Sequence, residues 1–413
     1  MNPFLNDYET PFKIPPFEEI EFAHYEPAFD IGMKEHLKEI EEIANNQQEP
    51  TFENTIEAME RSGETLDKVA NVFFNLLGSN TNDDMDALAM KISPKLSAHN
   101  DSILLNKELF KRIKELFDNK GSFNLTTEQN RLLEETYKRF IRSGANLDNQ
   151  SMERLTQINS SLSSLSVQFD QNVLKETNSY SMVIENEEDL DGLPAEEIRQ
   201  ASLLADSEGQ SGKWVFKPTR VSMYPFLTYS TQRDLREELY NSYIQRGDND
   251  NAYDNKEIIA EMISLRKEKA SMMGFDSHSD YVLDNTMAKT PENVNKLLQT
   301  IWKPGVEKAK GEVEEMQKLI SDEGGNFELA AWDWWHYSEK LRQEKFDFKE
   351  EEVKPYFSED KVLAGAFDVA QKLFDITFTE RNDLPKYREN IRSFIVEDLN
   401  KKVIGIFYTD FTL

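Results

Sequence analysis

Apolar side chains recur at three- and four-residue spacing through most of this 413-residue chain, a period that commits it to amphipathic helices packed on one another. Phe29, Met33, Leu37, Ile40 and Ile43 form one such stripe. Thr126 with Gln129 has the form of a capping box. Leu132, Leu133, Tyr137, Phe140 and Ile141 follow it as an apolar face, and Gly144 marks the stop. In "TPEN" (290–293), Thr290 takes the N-cap and Pro291 the first helical position, where a missing N–H leaves nothing unsatisfied. Val294, Leu297, Leu298, Ile301 and Trp302 then share one face. Ser358 is placed to cap a further helix carrying Leu363, Phe367, Ala370 and Phe374.

Strand signals are few. "YSMVI" (180–184) and "KWVFK" (213–217) are short and β-prone, with an acidic helical insert at 194–206 between them. "IRSFIVE" (391–397) and "KVIGIFYT" (402–409) flank the turn-like "DLNK" and read as a hairpin. The proline-containing "YPFLTY" (224–229) introduces a new run of helices, which sets a boundary between an N-terminal region, 1–223, and a second region, 224–413. The expected fold class is mainly α, many helices with one small sheet or hairpin. The length gives ample chain for a large core.

Charge narrows the function classes. Asp and Glu number 77 against 48 Lys and Arg, a net charge of -29, and so acidic a surface repels nucleic-acid backbones and anionic lipid. No window approaches the roughly 18 apolar residues of a membrane span, and the N-terminus lacks a basic, then apolar, signal-peptide pattern. The expected location is cytoplasmic. With no cysteine, disulfides, thiolate metal sites and a cysteine nucleophile are excluded.

The remaining catalytic candidates are weak. The five histidines are His24, His36, His99, His278 and His336, the closest two twelve residues apart, so no helical turn presents two imidazoles to a metal. They read as surface or hydrogen-bonded core histidines, with a site assembled from three scattered ones as the alternative. "GQSGK" (209–213) lacks the spacing of a nucleophile elbow or a phosphate loop and reads as a polar loop. Carboxylate pairs are too numerous to single any out. The aromatic stretch "AAWDWWHYSEKLRQEKFDF" (330–348) could line a ligand groove. The plainer reading is a helix begun near Asp333, burying Trp334 or Trp335 with Tyr337 or Ser338 and Leu341.

Several stretches together resemble the thimet-oligopeptidase-like (M3) family of zinc metallopeptidases, and within it the bacterial peptidyl-dipeptidase branch. They are "NPFL…TPFKIPPFEEI" (2–20), "HYEPAF" (24–29), "PTFENTIEAMERSGETLDKVANVFFNL" (50–76), "YPFLTYSTQRDLREELYNSYIQRG" (224–247), "LRKEKASMMGFDSHSDYVLDNTMAKTPENV" (265–294) and "WDWWHYSEKLRQEKFDFKEEEVKPYF" (332–357). The resemblance runs to about Phe411. It implies a mainly helical M3-like N-terminal portion, with 224–413 the first part of the catalytic domain and a strand such as "IGIFYTDF" (404–411) beside the active-site channel.

The family's zinc is held by His-Glu-x-x-His on one helix and a glutamate from a following helix, and no position in this sequence matches that pattern. The resemblance therefore carries over no catalytic residue and no metal ligand, and it assigns no substrate-binding residue. Zinc is expected in the complete family enzyme and not on this chain. Thr412 and Leu413 depart from the family pattern. The chain is accordingly expected to be incomplete at its C-terminus and inert alone, while its full-length relatives release C-terminal dipeptides from short peptides. The alternative is a non-catalytic helical protein that binds peptides or a partner. Docking of a missing C-terminal half is a third expectation, and neither nucleic acid nor membrane is an expected partner.

Overall fold

The computed structural model describes residues 1–346 and 350–411. Thr412 and Leu413, the expected point of departure from the family pattern, lie outside the described residues, as do residues 347–349 of the tryptophan-rich stretch. By contact the chain separates into two compact units, residues 1–167 with 354–413, and residues 168–353.

The first unit opens with α1 (Phe22–Ala44), α2 (Glu64–Ser79), α3 (Asp83–Leu104), α4 (Lys107–Asp118) and α5 (Thr127–Arg142). The α1 stripe divides its burial between two clusters. Phe29 packs with Tyr25, Val69, Phe73 and Ile92 against α2 and α3, and Ile40 packs with Ile113, Leu116 and Phe140 toward α4 and α5. Gly32 sits where α1 meets α2: a Cβ there would stand 2.9 Å from the Leu66 backbone, closer than packed atoms allow. The expected capping box is present on α5. Gln129 N donates to Thr126 Oγ1 at 3.2 Å and Thr126 N to Gln129 Oε1 at 3.0 Å. Arg112, buried on α4, donates to the carbonyls of Asn46 and Gln48 and to the side chains of Asn54 and Thr55, which ties down the loop after α1.

The long α6 (Asn149–Ser179) carries the chain into the second unit, where β1 (Met182–Ile184), α7 (Ala195–Ser207) and β2 (Trp214–Phe216) follow. Both β-prone segments form strands with a helix in the insert between them, and the two strands pair antiparallel with Val183 opposite Val215. Next come α8 (Arg220–Tyr229), α9 (Arg233–Ile244), α10 (Lys256–Met272), α11 (His278–Leu283), α12 (Pro291–Asp322) and α13 (Trp334–Phe346). Thr290 caps α12 by accepting from Asn293 N at 3.3 Å, with Pro291 in the first turn. Trp335 of α13 packs on the β1–β2 core with Met182, Phe216, Phe226 and Leu239. Trp334, Tyr337 and Leu341 pack instead on Met316 and Ile320 of α12. The helix thus uses both tryptophans, on two faces, where the sequence suggested one stripe.

The chain returns to the first unit as α14 (Glu359–Phe374), β3 (Thr377–Glu380), β4 (Arg392–Glu397) and β5 (Val403–Thr409). Ser358 holds the N-cap position of α14, but its hydroxyl makes no capping hydrogen bond. The hairpin forms as predicted, and β3 adds a third antiparallel strand in the order β3–β4–β5. Alternation along β4 sends Phe394 to Phe367 and Phe407 on one face, and Ile395 to Ile14 and Leu384 on the other. Among the described residues, the outer edge of β5 has no strand partner. No helix of the described residues is long and apolar enough to cross a membrane.

Candidate functional site

The histidines are candidate metal ligands, and the fold spreads them over four helices. His24, near the start of α1, accepts from Glu21 N at 3.0 Å and serves as a helix cap. His278 opens α11, and burial together with Arg266 and Lys269 holds its imidazole below the usual pKa. His336, buried on α13, lies 3.2 Å by Nδ1 from the Thr228 carbonyl. A carbonyl oxygen only accepts, so this contact places the proton on Nδ1. Burial, then Arg236 and Lys340, push its pKa down to about 4.

The other two meet. His99 on α3 is buried, and its Nε2 lies 3.0 Å from Nδ1 of His36 on α1, whose Nε2 in turn lies 3.1 Å from Ser62 Oγ. Two imidazoles at that distance share one proton between facing nitrogens, and charging both would set two cations side by side. Burial, then His36, push His99 down to about 4; burial lowers His36 too, against the pull of Glu39 and Asp67. Gly63 lets the pair fit. Its φ of +85° is left-handed, its N–H donates to Glu39 Oε2 at 2.8 Å, and a Cβ there would stand 2.9 Å from the His36 ring. His36 and His99 are 63 residues apart, and no local spacing joins them.

The most elaborate polar centre belongs to the second unit. Asp333 is fully buried beside Trp332. It accepts from Arg233 through Nε and Nη2, from Arg236 Nη2 at 2.8 Å, and from Ala330 N at 3.1 Å. Arg236 donates onward to the Ser230 carbonyl at 2.8 Å, and the Arg233 guanidinium lies over the Phe327 and Trp332 rings. These bonds fill the lone pairs of one carboxylate, so Asp333 is a structural tie with no capacity left to act as a base. The partners lie 97 and 100 residues away. The one advance sign was an aspartate set among tryptophans in a segment read as a buried stripe, since a charge there requires a partner.

Elsewhere, one cluster of three aspartates gathers around a lysine. Lys256 Nζ lies 2.7, 2.9 and 2.6 Å from Asp248, Asp250 and Asp254, and hydrogen bonds to all three raise its pKa. "GQSGK" is a loop as predicted, with Gly209 and Gly212 at positive φ and Lys213 bridged to Glu185 at 2.6 Å. Among the described residues no three His, Asp or Glu side chains are grouped to hold a metal ion. Of the histidine pair, His99 also lines a groove of about 920 Å³ with Met33, Leu37 and Ala98.

Residues 226–412 match peptidase family M3. The whole chain is similar to the dipeptidyl carboxypeptidase of Escherichia coli (strain K12), at 35% identity over 412 residues, covering 100% of this chain and 60% of that protein. The dipeptidyl carboxypeptidase of Salmonella typhimurium is 33% identical over 411 residues, 99% of this chain and 60% of that protein. Oligopeptidase A of Haemophilus influenzae is 29% identical over 413 residues, again 99% of this chain and 60% of that protein. The chain therefore spans about 60% of the length of the curated relatives it matches.

Proposed function

We propose, for a chain whose residues 226–412 match peptidase family M3, that it is a member of that family and forms the helical framework and small sheet of a cytoplasmic peptidyl-dipeptidase, an enzyme releasing C-terminal dipeptides from short peptides. The observation that carries this reading is similarity to dipeptidyl carboxypeptidases along the entire chain, not in one motif. A division at residues 223/224 into an N-terminal helical region and the start of the catalytic region belongs to the same proposal, and the family match beginning at residue 226 supports it.

Membership of M3 implies zinc. The described side chains do not fit it: the histidines are spread over α1, α3, α11 and α13, and the hydrogen-bond partners of His24, His36, His99 and His336 are backbone groups, a serine or one another. In this proposal the metal ligands lie in polypeptide equivalent to the part of the relatives' length not spanned here. This chain contributes shape: a wall of packed helices and, at the open edge of β5, backbone groups able to pair with extended peptide. The absence of a three-ligand group among the described residues favours one second reading, a peptide-binding protein without catalysis.

The test compares the purified 413-residue chain with the same chain joined after Leu413 to the part of the Escherichia coli enzyme beyond the match. An N-acetylated tetrapeptide is supplied with and without zinc and EDTA, and dipeptide release is measured. Chelator-sensitive release by the joined protein alone is expected. Release by the unjoined chain would overturn the placement of the metal, and peptide binding without release by the joined protein would favour the second reading.

A further inference from the structure

We infer that the N-terminal half of α12 is a docking surface for an acidic, apolar polypeptide segment, the counterpart of the two-fifths of the relatives' length that this chain does not span. The 32 residues of α12 extend about 48 Å, whereas the 13 of α13 extend only about 20 Å. One stripe runs the whole length of α12. At its C-terminal end Met316 and Ile320 are buried beneath Tyr337 of α13. At its N-terminal end the same stripe is bare, with Leu298 55%, Ile301 63% and Trp302 67% exposed around a groove of about 680 Å³ that Val306 also lines. Pro304 and Gly305 interrupt this half, and both weaken a helix that stands alone. An uncovered apolar face on a helix with two such residues in its middle is a surface built to be buried.

Charge selects among occupants. Residues 291–310 carry Lys296, Lys303, Lys308 and Lys310 against Glu292 and Glu307, with Lys308 bridged to Glu312 at 3.4 Å, in a chain of net charge -29. A second copy docked on the same face would oppose these lysines with themselves. Anionic lipid would meet a basic patch carried on a strongly acidic body, which repels it. A polypeptide presenting apolar side chains flanked by Asp and Glu satisfies both the groove and its rim. The relatives, similar along the whole of this chain, possess the extra length from which such a segment can come. The occupant is drawn from the M3 reading above, but its docking is measured without metal or turnover.

In EDTA, the part of the Escherichia coli dipeptidyl carboxypeptidase beyond the match is titrated against the wild-type chain and followed by sedimentation velocity. The Leu298→Glu/Trp302→Glu variant, altered only at exposed positions, is expected to bind about 100-fold more weakly or worse. Lys303→Glu/Lys310→Glu is expected to weaken binding less and to flatten its salt dependence, and Val221→Glu, an exposed control on α8, to leave it unchanged. Hydrogen exchange on the joined protein gives a second reading independent of whether the separate segment folds, with added protection expected at residues 294–310. Four results would each overturn the inference: equal binding by wild type and the apolar variant, unprotected residues 294–310 in the joined protein, a wild-type dimer that the variant abolishes, or capture by phosphatidylglycerol vesicles that the variant abolishes. Docking with no dipeptide release would leave the inference standing and break the peptidase reading, and release without protection of α12 would do the reverse.

Discussion

In the second unit, a carboxylate without solvent exposure is satisfied by two guanidinium groups and a backbone N–H; in the first, two imidazoles lie 3.0 Å apart and hold each other as neutral rings. Both centres join elements far apart in the chain. They differ in what holds them. The Asp333 centre keeps its charges and loses little until a partner is removed, because attraction and hydrogen bonding offset the desolvation of each ion. The His36–His99 centre depends on protons staying off, so the solvent's pH acts on it directly.

The sharpest way to break the comparison is Asp333→Asn, which leaves two guanidinium groups without their counter-charge. A loss of about 3–5 kcal/mol in unfolding free energy is expected, read by urea denaturation. Replacing Asp333 and Arg236 together by Leu and Met should cost much less. If the single and double variants lose equal stability, the charge tie is not what holds α9 to α13.

Acid should act next, and mainly through the histidines. His99 and His336 titrate near 4 in the fold and near 6.5 when unfolded, so between those values the unfolded chain binds more protons. Their contribution is complete above about pH 6.5 and is lost as pH falls toward 4. For His99 alone it is on the order of 3 kcal/mol. Urea midpoints measured from pH 7 to pH 4 should fall, with a shallower decline in His99→Phe. A midpoint that rises on acidification would contradict the neutral pairing.

Gly63→Ala should be milder. It forces a side chain into a left-handed backbone and against the His36 ring, for about 1–2 kcal/mol. The same substitution in a His36→Ala background should recover the part due to the ring, a separation that thermal melts can read. The smallest expected effect is Thr126→Ala, about 1 kcal/mol from one lost cap on α5, independent of pH in the range where the histidines titrate.

Much of the fold was legible because its signals are local. The box of Thr126 and Gln129, Thr290 with Pro291, and the stripe of Phe29, Ile40 and Ile43 each act within a few residues through backbone hydrogen bonds and one helical face. The four residues of β3 were too few to show a period, and that strand was missed. Of the candidate chemistry, the polar character of "GQSGK" could be approached from composition, while the two faces of the tryptophan helix and the partners of Asp333 and His99 could not.

Residue order by itself determined where helices start, where they stop and which side chains share a stripe, since these follow from torsional preference and the 3.6-residue repeat. Only the tertiary structure decided which stripes are covered. Leu133 and Phe140 on α5 and Leu298 and Trp302 on α12 announce themselves in the same way in one dimension, yet the first pair is buried and the second stands open. Burial depends on what the rest of the chain brings alongside, over separations that no local pattern encodes.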